Sequence, residues 1–573
     1  MSDQDFFFDE VISEKILHKD LGVGPLIAGA FDYFKIKDII NKLIGKVGSH
    51  VKINSADILQ IMVTQLLSAP YQSLNGTEDF FKNLPFQCWV NDATIKAEHL
   101  NRSTLARFLD DVHEYGPEKL FLKLSYRIAT ALGLKVEELH IDSTSFHYDG
   151  KSIAEEDAPL LLHGYSRDHR QDLIQINNVG LCDGISKLML YNKSVSGNEN
   201  DNKSFLRIAN QGLPLLREQF KELKYFVGDS ALCTPDILDS IVAQGLHAVT
   251  RIPDKIKEVK QAFKDNVEVD DTFEIIYKDD EENSPKGKWI GDITIGNQRM
   301  KCALITSEGR RSSKEKSVNK AAEKEKAKLE AKLNKLRTNP CKCEDDARAE
   351  VEKLIKSAKY CQIKDITYTP KMVNAKRGRP PKGVEVPKVL NGVAVTATVT
   401  IDKELVQKKI NSELKFVLAT TDTERNWTIA ELLSIYRRQS VIERGWRCCK
   451  SPKIMVNSIY LQKSSRIEAL MWLMMVALLI YSACEYKIRQ VMAEHNLTIP
   501  GKGTKPKQNQ PSMLALLEYI SNMRLSLVKY SDKLIVDGLE QPLKDLLNEL
   551  GLKWCRYFLS KTYRPYRVPL FGS

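Results

Sequence analysis

Residues Tyr436 to Lys450 read YRRQSVIERGWRCCK. Tyr436, Glu443 and Lys450 recur every seven residues. At about 100° per residue, each step returns to within about 20° of the same helix face. The spacing predicts one helix that presents a phenol, a carboxylate and an ammonium in a single stripe, with Arg447 one turn beyond Glu443. Its start is written upstream: Thr428 and Glu431 form a capping-box pair, and Ile429, Leu432, Leu433 and Ile435 follow at helical spacing. A stripe of mixed polar groups also describes an ordinary solvated helix face. Two aspartates far upstream, Asp142 and Asp229, each at the end of a strand-like run, give it a second meaning.

Working outward, the 573 residues suffice for about three to five domains. A 43% hydrophobic content supports buried cores, and a net charge of +11 suits a polyanionic partner. The eleven cysteines are odd in number, and the first residues, MSDQDFFFDE, are acidic where a secretory signal is basic. Both predict a reducing, cytoplasmic setting. Cys341 and Cys343 have no second pair at zinc spacing. Ala469 to Cys484 is apolar between Glu468 and Glu485. It is shorter than the roughly 20 residues a bilayer span needs, so it predicts a buried core helix and no membrane partner.

Residues 1–125 read as a helical domain, with apolar residues at helical spacing in Asp20–Leu43, Ser55–Leu67 and from Ser103. Residues 126–252 change period. Glu138–Phe146 reads as a strand carrying Asp142, Leu173–Cys182 as a second, and Asp183-Gly184 as a hairpin turn before a third from Lys187 to Val195. A helix, a strand at Leu223–Val227 ending at Gly228-Asp229, a helix opened by Thr234-Pro235, and a strand at Ala248–Ile252 complete a mixed sheet with helices packed on it. Residues 253–412 interrupt this α/β pattern with further strands and a Lys/Glu/Ala-rich helix, Lys314–Leu336, whose thin apolar line of Leu329, Leu333 and Leu336 predicts a solvated helix or short coiled coil. Residues 413–493 bring a strand, the Glu443 helix and a long apolar helix, Arg466–Met492; residues 494–573 form a helical C-terminal region.

Asp142, Asp229 and Glu443 can converge at one edge of such a sheet. Three carboxylates brought together repel unless a counter-charge is supplied. Hard oxygen donors with few histidines suit Mg²⁺ or Mn²⁺, and two such ions would serve phosphoryl transfer. Lone aspartates also commonly start or cap turns. His140 and His147, which flank Asp142, read as structural or supporting groups.

These residues resemble the DDE transposases of bacterial insertion sequences, in the "insertion sequence four" superfamily with its tyrosine–arginine–glutamate–lysine signature. The resemblance rests on HIDST around Asp142, HGYSRDHRQD from His163 to Asp172, YFVGDSA around Asp229, and Tyr436, Glu443 and Lys450 in register. It implies a ribonuclease-H-like core, interrupted by a partly β insertion, in which Asp142, Asp229 and Glu443 hold two Mg²⁺ or Mn²⁺ ions. It further implies that Tyr436 and Lys450 contact phosphates near the cleaved end, that the partners are double-stranded element ends and target DNA, that a homodimer assembles on DNA, and that the protein is associated with the bacterial nucleoid. One position departs: the family arginine falls at Gln439, with Arg437 and Arg438 just before it as candidate DNA contacts, and Ser440 stands where an aromatic often follows. Trp289, Trp427 and Trp446 are either core residues or stacking surfaces for an unpaired base.

Lys376–Lys382, KRGRPPK, resembles the core of an AT-hook, with Arg377 and Arg379 laid along a narrow A·T minor groove. A basic exposed loop has the same composition. A DNA-binding relic without activity and a ribonuclease-H-like nuclease that does not join strands remain open beside the transposase reading.

Overall fold

A three-stranded meander extended by two parallel strands forms the centre of the chain. The computed structural model describes residues 18–558, apart from 47, 49–50, 69–73, 93, 152–153, 167, 169, 267–268, 278–283, 376–386, 452–460, 502, 504–505 and 531–532. Two compact units divide it: Met1–Thr250, Ile295–Gln298 and Ser434–Ser573 form the first, and Arg251–Thr294 and Arg299–Leu433 the second.

In the first unit β1 (Glu138–Tyr148), β2 (Ile174–Asp183) and β3 (Met189–Ser196) pair antiparallel. On the other edge of β1 lies β4 (Tyr225–Gly228), parallel to it, followed by β5 (His247–Ile252), parallel to β4. The order β3-β2-β1-β4-β5 is that of a ribonuclease-H-like sheet, as the sequence predicts. Within Glu138–Phe146 every residue but Asp142 is buried. Such near-continuous burial marks a strand covered on both faces, and a lone interruption marks a position left accessible.

Helices α1 (Ser55–Ser68), α2 (Arg102–Tyr115) and α3 (Pro117–Ala131) precede the sheet. After β3, α4 (Asp201–Arg207) follows the polar loop, and α5 (Pro235–Ala243) bridges β4 and β5, starting at Pro235 as its Thr-Pro signal predicts. The first unit's apolar helix runs from Ser464 to Glu494. It is long and apolar enough to cross a membrane, yet 83% of its most apolar stretch is buried inside the chain, against α1, α2, α3 and β3. Its first turns are pinned to α2: Arg466 binds Asp110 through two 2.7 Å hydrogen bonds, His113 Nδ1 meets Glu468 Oε2 at 2.8 Å, and Phe108 lies against Trp472.

In the second unit β6 (Glu274–Ile275), β7 (Lys286–Ile295) and β8 (Gln298–Thr306) are joined by β11 (Lys415–Thr420) on the far side of β8. Between β8 and β11 stand α6 (Arg311–Thr338), α7 (Glu344–Ser357) and a ribbon of β9 (Cys361–Asn374) and β10 (Lys388–Ile401). Leu329 and Leu333, predicted to lie on a solvated helix or in a short coiled coil, are buried with Ala347, Val351, Val393, Val395 and Val399. The ribbon supplies the partner surface that the helix sequence does not show.

The predicted Tyr436–Lys450 helix is two helices. The capping box forms as expected: Thr428 N–H donates to Glu431 at 3.0 Å, and Glu431 N–H to Thr428 Oγ1 at 3.2 Å. The helix it opens, α8 (Ile429–Arg437), then stops. Arg438, Gln439 and Val441 donate to carbonyls three residues back, and α9 (Ser440–Cys449) starts afresh. Tyr436 therefore belongs to α8, Glu443 to α9, and Lys450 caps the α9 C-terminus. The cause is tertiary: both residues at the break send their side chains to β1.

Candidate active site

The register between β1 and β4 places the two aspartates. Glu138, Leu139 and His140 pair with Tyr225, Phe226 and Val227. Two further steps along both strands bring Asp142 level with Asp229. The intervening pair is in close contact, since a Cβ on Gly228 would lie 2.9 Å from the Ile141 side chain. Asp229 is exposed just past the strand end, where its Oδ1 accepts from Ala231 N–H at 2.9 Å and its carbonyl from Thr250 Oγ1.

Glu443 arrives on α9, which is fastened alongside β1 at both ends. Glu138, His140 and Asp142 alternate along β1 and share one face. Beside the first two, Arg438 grips Glu138 with Nε at 2.5 Å and Nη2 at 2.6 Å. Gln439 Nε2 donates to the Ile141 carbonyl at 2.7 Å, and its Oε1 meets His140 Nδ1 at 3.0 Å. Ten residues past the start of α9, the Lys450 ammonium lies 6.0 Å from the centre of the Phe146 ring, farther along that face. Eleven residues of helix from Gln439 to Lys450 rise about 16 Å, and five residues of strand from Ile141 to Phe146 span about 16 Å. Helix and strand therefore run together, and Glu443, about 6 Å along from Gln439, falls about 3 Å beyond the height of Asp142. Trp446 confirms the side: Gly180, the β2 partner of Asp142, would set a Cβ 2.9 Å from the Trp446 ring. Only a glycine admits the indole there. Val441, Ile442, Trp446 and Cys449 form the buried face of α9, while Glu443, Arg444 and Arg447 are exposed.

Burial pushes the Glu138 carboxyl up, but the hydrogen bonds from His140 and Arg438 outweigh it and hold the group below the usual range. At the other end Lys450 Nζ donates to Asp168 Oδ2 at 2.6 Å, and His147 Nδ1 stands 3.8 Å from the same oxygen. His147 Nε2 meets Ser166 Oγ at 2.9 Å, and burial lowers the imidazole's proton affinity despite Asp168.

Of the predicted residues, Asp142 and Asp229 stand level on neighbouring strands, and Glu443 and Lys450 lie on or just past the helix alongside β1, but the three acids are not brought within reach of one metal ion. Tyr436 is half-buried on the last turn of α8, and Arg437 beside it is exposed. Arg438 is committed to Glu138. Arg377 and Arg379 lie outside the described residues. Trp427 and Trp446 are core residues, 3% and 4% exposed; Trp289 is half-buried under the Lys301 ammonium. Sequence reasoning missed Glu138, Asp168 and Gly180, and took Gln439 only as a departure. The alternation of Glu138, His140 and Asp142 was the one available signal, and it needs the 438–439 partner to acquire meaning.

Among the described residues no three His, Cys, Asp or Glu side chains stand close enough to hold a metal ion. By donor chemistry Asp142, Asp229 and Glu443 fit a hard divalent cation.

The fold is a ribonuclease-H-like sheet with Asp142 in the middle of its first strand rather than at a strand end, Asp229 just past its fourth, and Glu443 on a helix laid over the first. The chain belongs to the Transposase DDE domain family, whose model matches residues 137–480. Residues 16–126 match a domain of unknown function, DUF4277. No curated protein matches the sequence. Among solved structures, a piggyBac transposase synaptic complex with hairpin DNA is similar at 10% identity and a TM-score of 0.38, covering 87% of this chain and 80% of that one.

Proposed function

We propose that this protein is a DNA transposase that cleaves DNA at the ends of an insertion sequence of the "insertion sequence four" type and transfers the cut strand into target DNA, acting as a dimer on that DNA in the bacterial nucleoid. The observation that supports the reading is the level placement of Asp142 and Asp229 on neighbouring strands, with Glu443 on the helix that runs alongside the first of them. These three would hold Mg²⁺ or Mn²⁺, two ions per site, which when bound supply Lewis acidity to the attacking and leaving oxygens. The chain's own residues do the rest. Lys450 offers a point charge to a phosphate flanking the reacting bond, and Tyr436 a hydrogen bond. Arg437, exposed beside Tyr436, serves as a further phosphate contact. Arg377 and Arg379 hold A·T-rich duplex through its minor groove.

The test is a strand-joining assay with the full chain, DNA carrying the element's terminal inverted repeats, and a supercoiled target, in Mg²⁺ and in EDTA. Joined products in Mg²⁺ alone support the proposal. Cleaved ends that are never joined assign the chain to the nucleases, and end binding without cleavage makes it a DNA-binding relic.

A further inference from the structure

Gln439 occupies the position where the resemblance expects a phosphate-binding arginine, yet it is only 7% exposed and faces β1. We infer that Gln439 is a positioning residue: its neutral amide locks the root of the Glu443 helix to the backbone of the strand that carries Asp142. This rests on the metal-site reading above and extends it to a residue that touches neither metal nor DNA.

The hydrogen-bond inventory decides the residue type. The Ile141 carbonyl can only accept, so the Gln439 group facing it, 2.7 Å away, must donate. That fixes the amide orientation and leaves Oε1, which can only accept, 3.0 Å from His140 Nδ1. His140 is fully buried, with Nε2 3.2 Å from Glu138 Oε1. Glu138 is held from the far side by Arg438. The hairpin after β2 closes the space, since a Cβ on Gly184 would lie 2.2 Å from Glu138 Oε1 and 2.5 Å from His140 Nε2. Position 439 therefore needs one donor and one acceptor on a short planar group. Glutamate has no donor for the carbonyl. Arginine has no acceptor for His140, and it would bring a cation beside Arg438 into a closed site.

Gln439 is four residues from Glu443, one helical turn, and its anchor is the residue before Asp142. A displacement of this joint moves one carboxylate relative to the other without altering either. Groups that orient ligands in this manner change metal affinity by about 10- to 100-fold when lost.

The test is Mn²⁺ binding to the full chain by titration calorimetry, together with end-binding affinity, for wild type, Q439E, Q439R, D142N and E443Q. Q439E is isosteric, so it tests the lost donor without leaving a cavity. The expected result is Mn²⁺ affinity about 10-fold weaker in Q439E and Q439R, weaker still in D142N and E443Q, and end binding within about twofold of wild type for Q439E. Wild-type Mn²⁺ affinity in Q439E, or a Q439R protein that binds Mn²⁺ normally and grips element ends more tightly, overturns the inference while D142N and E443Q lose Mn²⁺. If D142N and E443Q also keep wild-type Mn²⁺ affinity, the metal-site reading falls and this one with it.

Discussion

Asp142 stands level with Asp229 because β1 and β4 are parallel and in register, so each aspartate lies two residues beyond the paired His140 and Val227. Neighbouring parallel strands therefore deliver the two carboxylates to one level, Asp142 within its strand and Asp229 one residue past the end of its own. Removing either, or Glu443, should abolish Mg²⁺-dependent cleavage while end binding persists, because binding draws on basic residues elsewhere. Single-turnover cleavage and gel-shift titrations of Asp142→Ala, Asp229→Ala and Glu443→Ala check this. A mutant that still cleaves near the wild-type rate removes that residue from the ligand set.

Lys450 is already paired, with Asp168, before any phosphate arrives. A phosphate must therefore displace a carboxylate to reach it. Lys450→Ala should slow strand transfer on pre-cut ends by roughly one to two powers of ten, from about 1.5 to 3 kcal/mol of lost charge-assisted contact. Tyr436→Phe should act in the same direction. Asp168→Asn should do the reverse for binding, tightening association with DNA of any sequence. Unchanged rates in Lys450→Ala and Tyr436→Phe would return both residues to a solvated face.

Arg438 predicts an acid-stability effect. The Glu138 carboxyl is held below its unfolded value, so its contribution is fully present above that value and is lost as pH falls through the folded one. Arg438→Ala leaves a buried carboxylate with less compensation. The acid-unfolding midpoint should move to higher pH, and neutral-pH stability should fall by about 3 kcal/mol, the low end for a broken buried pair because the arginine is partly exposed. Circular dichroism across an acid titration reads both. An unmoved transition would mean the pair adds nothing.

Replacing Arg377 and Arg379 together should weaken DNA binding and reduce the slope of its salt dependence by up to about two. The loss should be larger on A·T-rich than on G·C-rich duplex if the contact lies in the minor groove. Fluorescence-anisotropy titrations over a salt series distinguish the cases, and equal losses on both duplexes leave only an exposed basic loop.

Local patterns carried much of the fold. β1 was legible because the residues around Asp142 are apolar or strand-forming, and α8 because Thr428 and Glu431 cap it as a pair. The break at Arg438–Gln439 was not legible. Helical periodicity continues straight across it, and its cause is a set of partners on β1 some 300 residues earlier. The ribbon was half-legible: β10 alternates enough to read, whereas most of β9 is exposed and shows little apolar rhythm. α6 packs chiefly on β10, and it was this pairing of helix with strand, which neither segment shows alone, that hid its buried side.

The sheet and the helix that covers it are separated by the whole second unit. During synthesis β1 to β5 leave the ribosome long before α9 and the Ser464–Glu494 helix exist. At about 5 to 20 residues per second, the nascent chain waits roughly 10 to 40 s for its missing pieces. Throughout that interval the faces of α1, α2 and α3 that receive the Ser464–Glu494 helix have no such helix to cover them. A message cut short between codons 229 and 443 yields a product with both aspartates and no glutamate, so the third acid is absent from every product that stops before this helix.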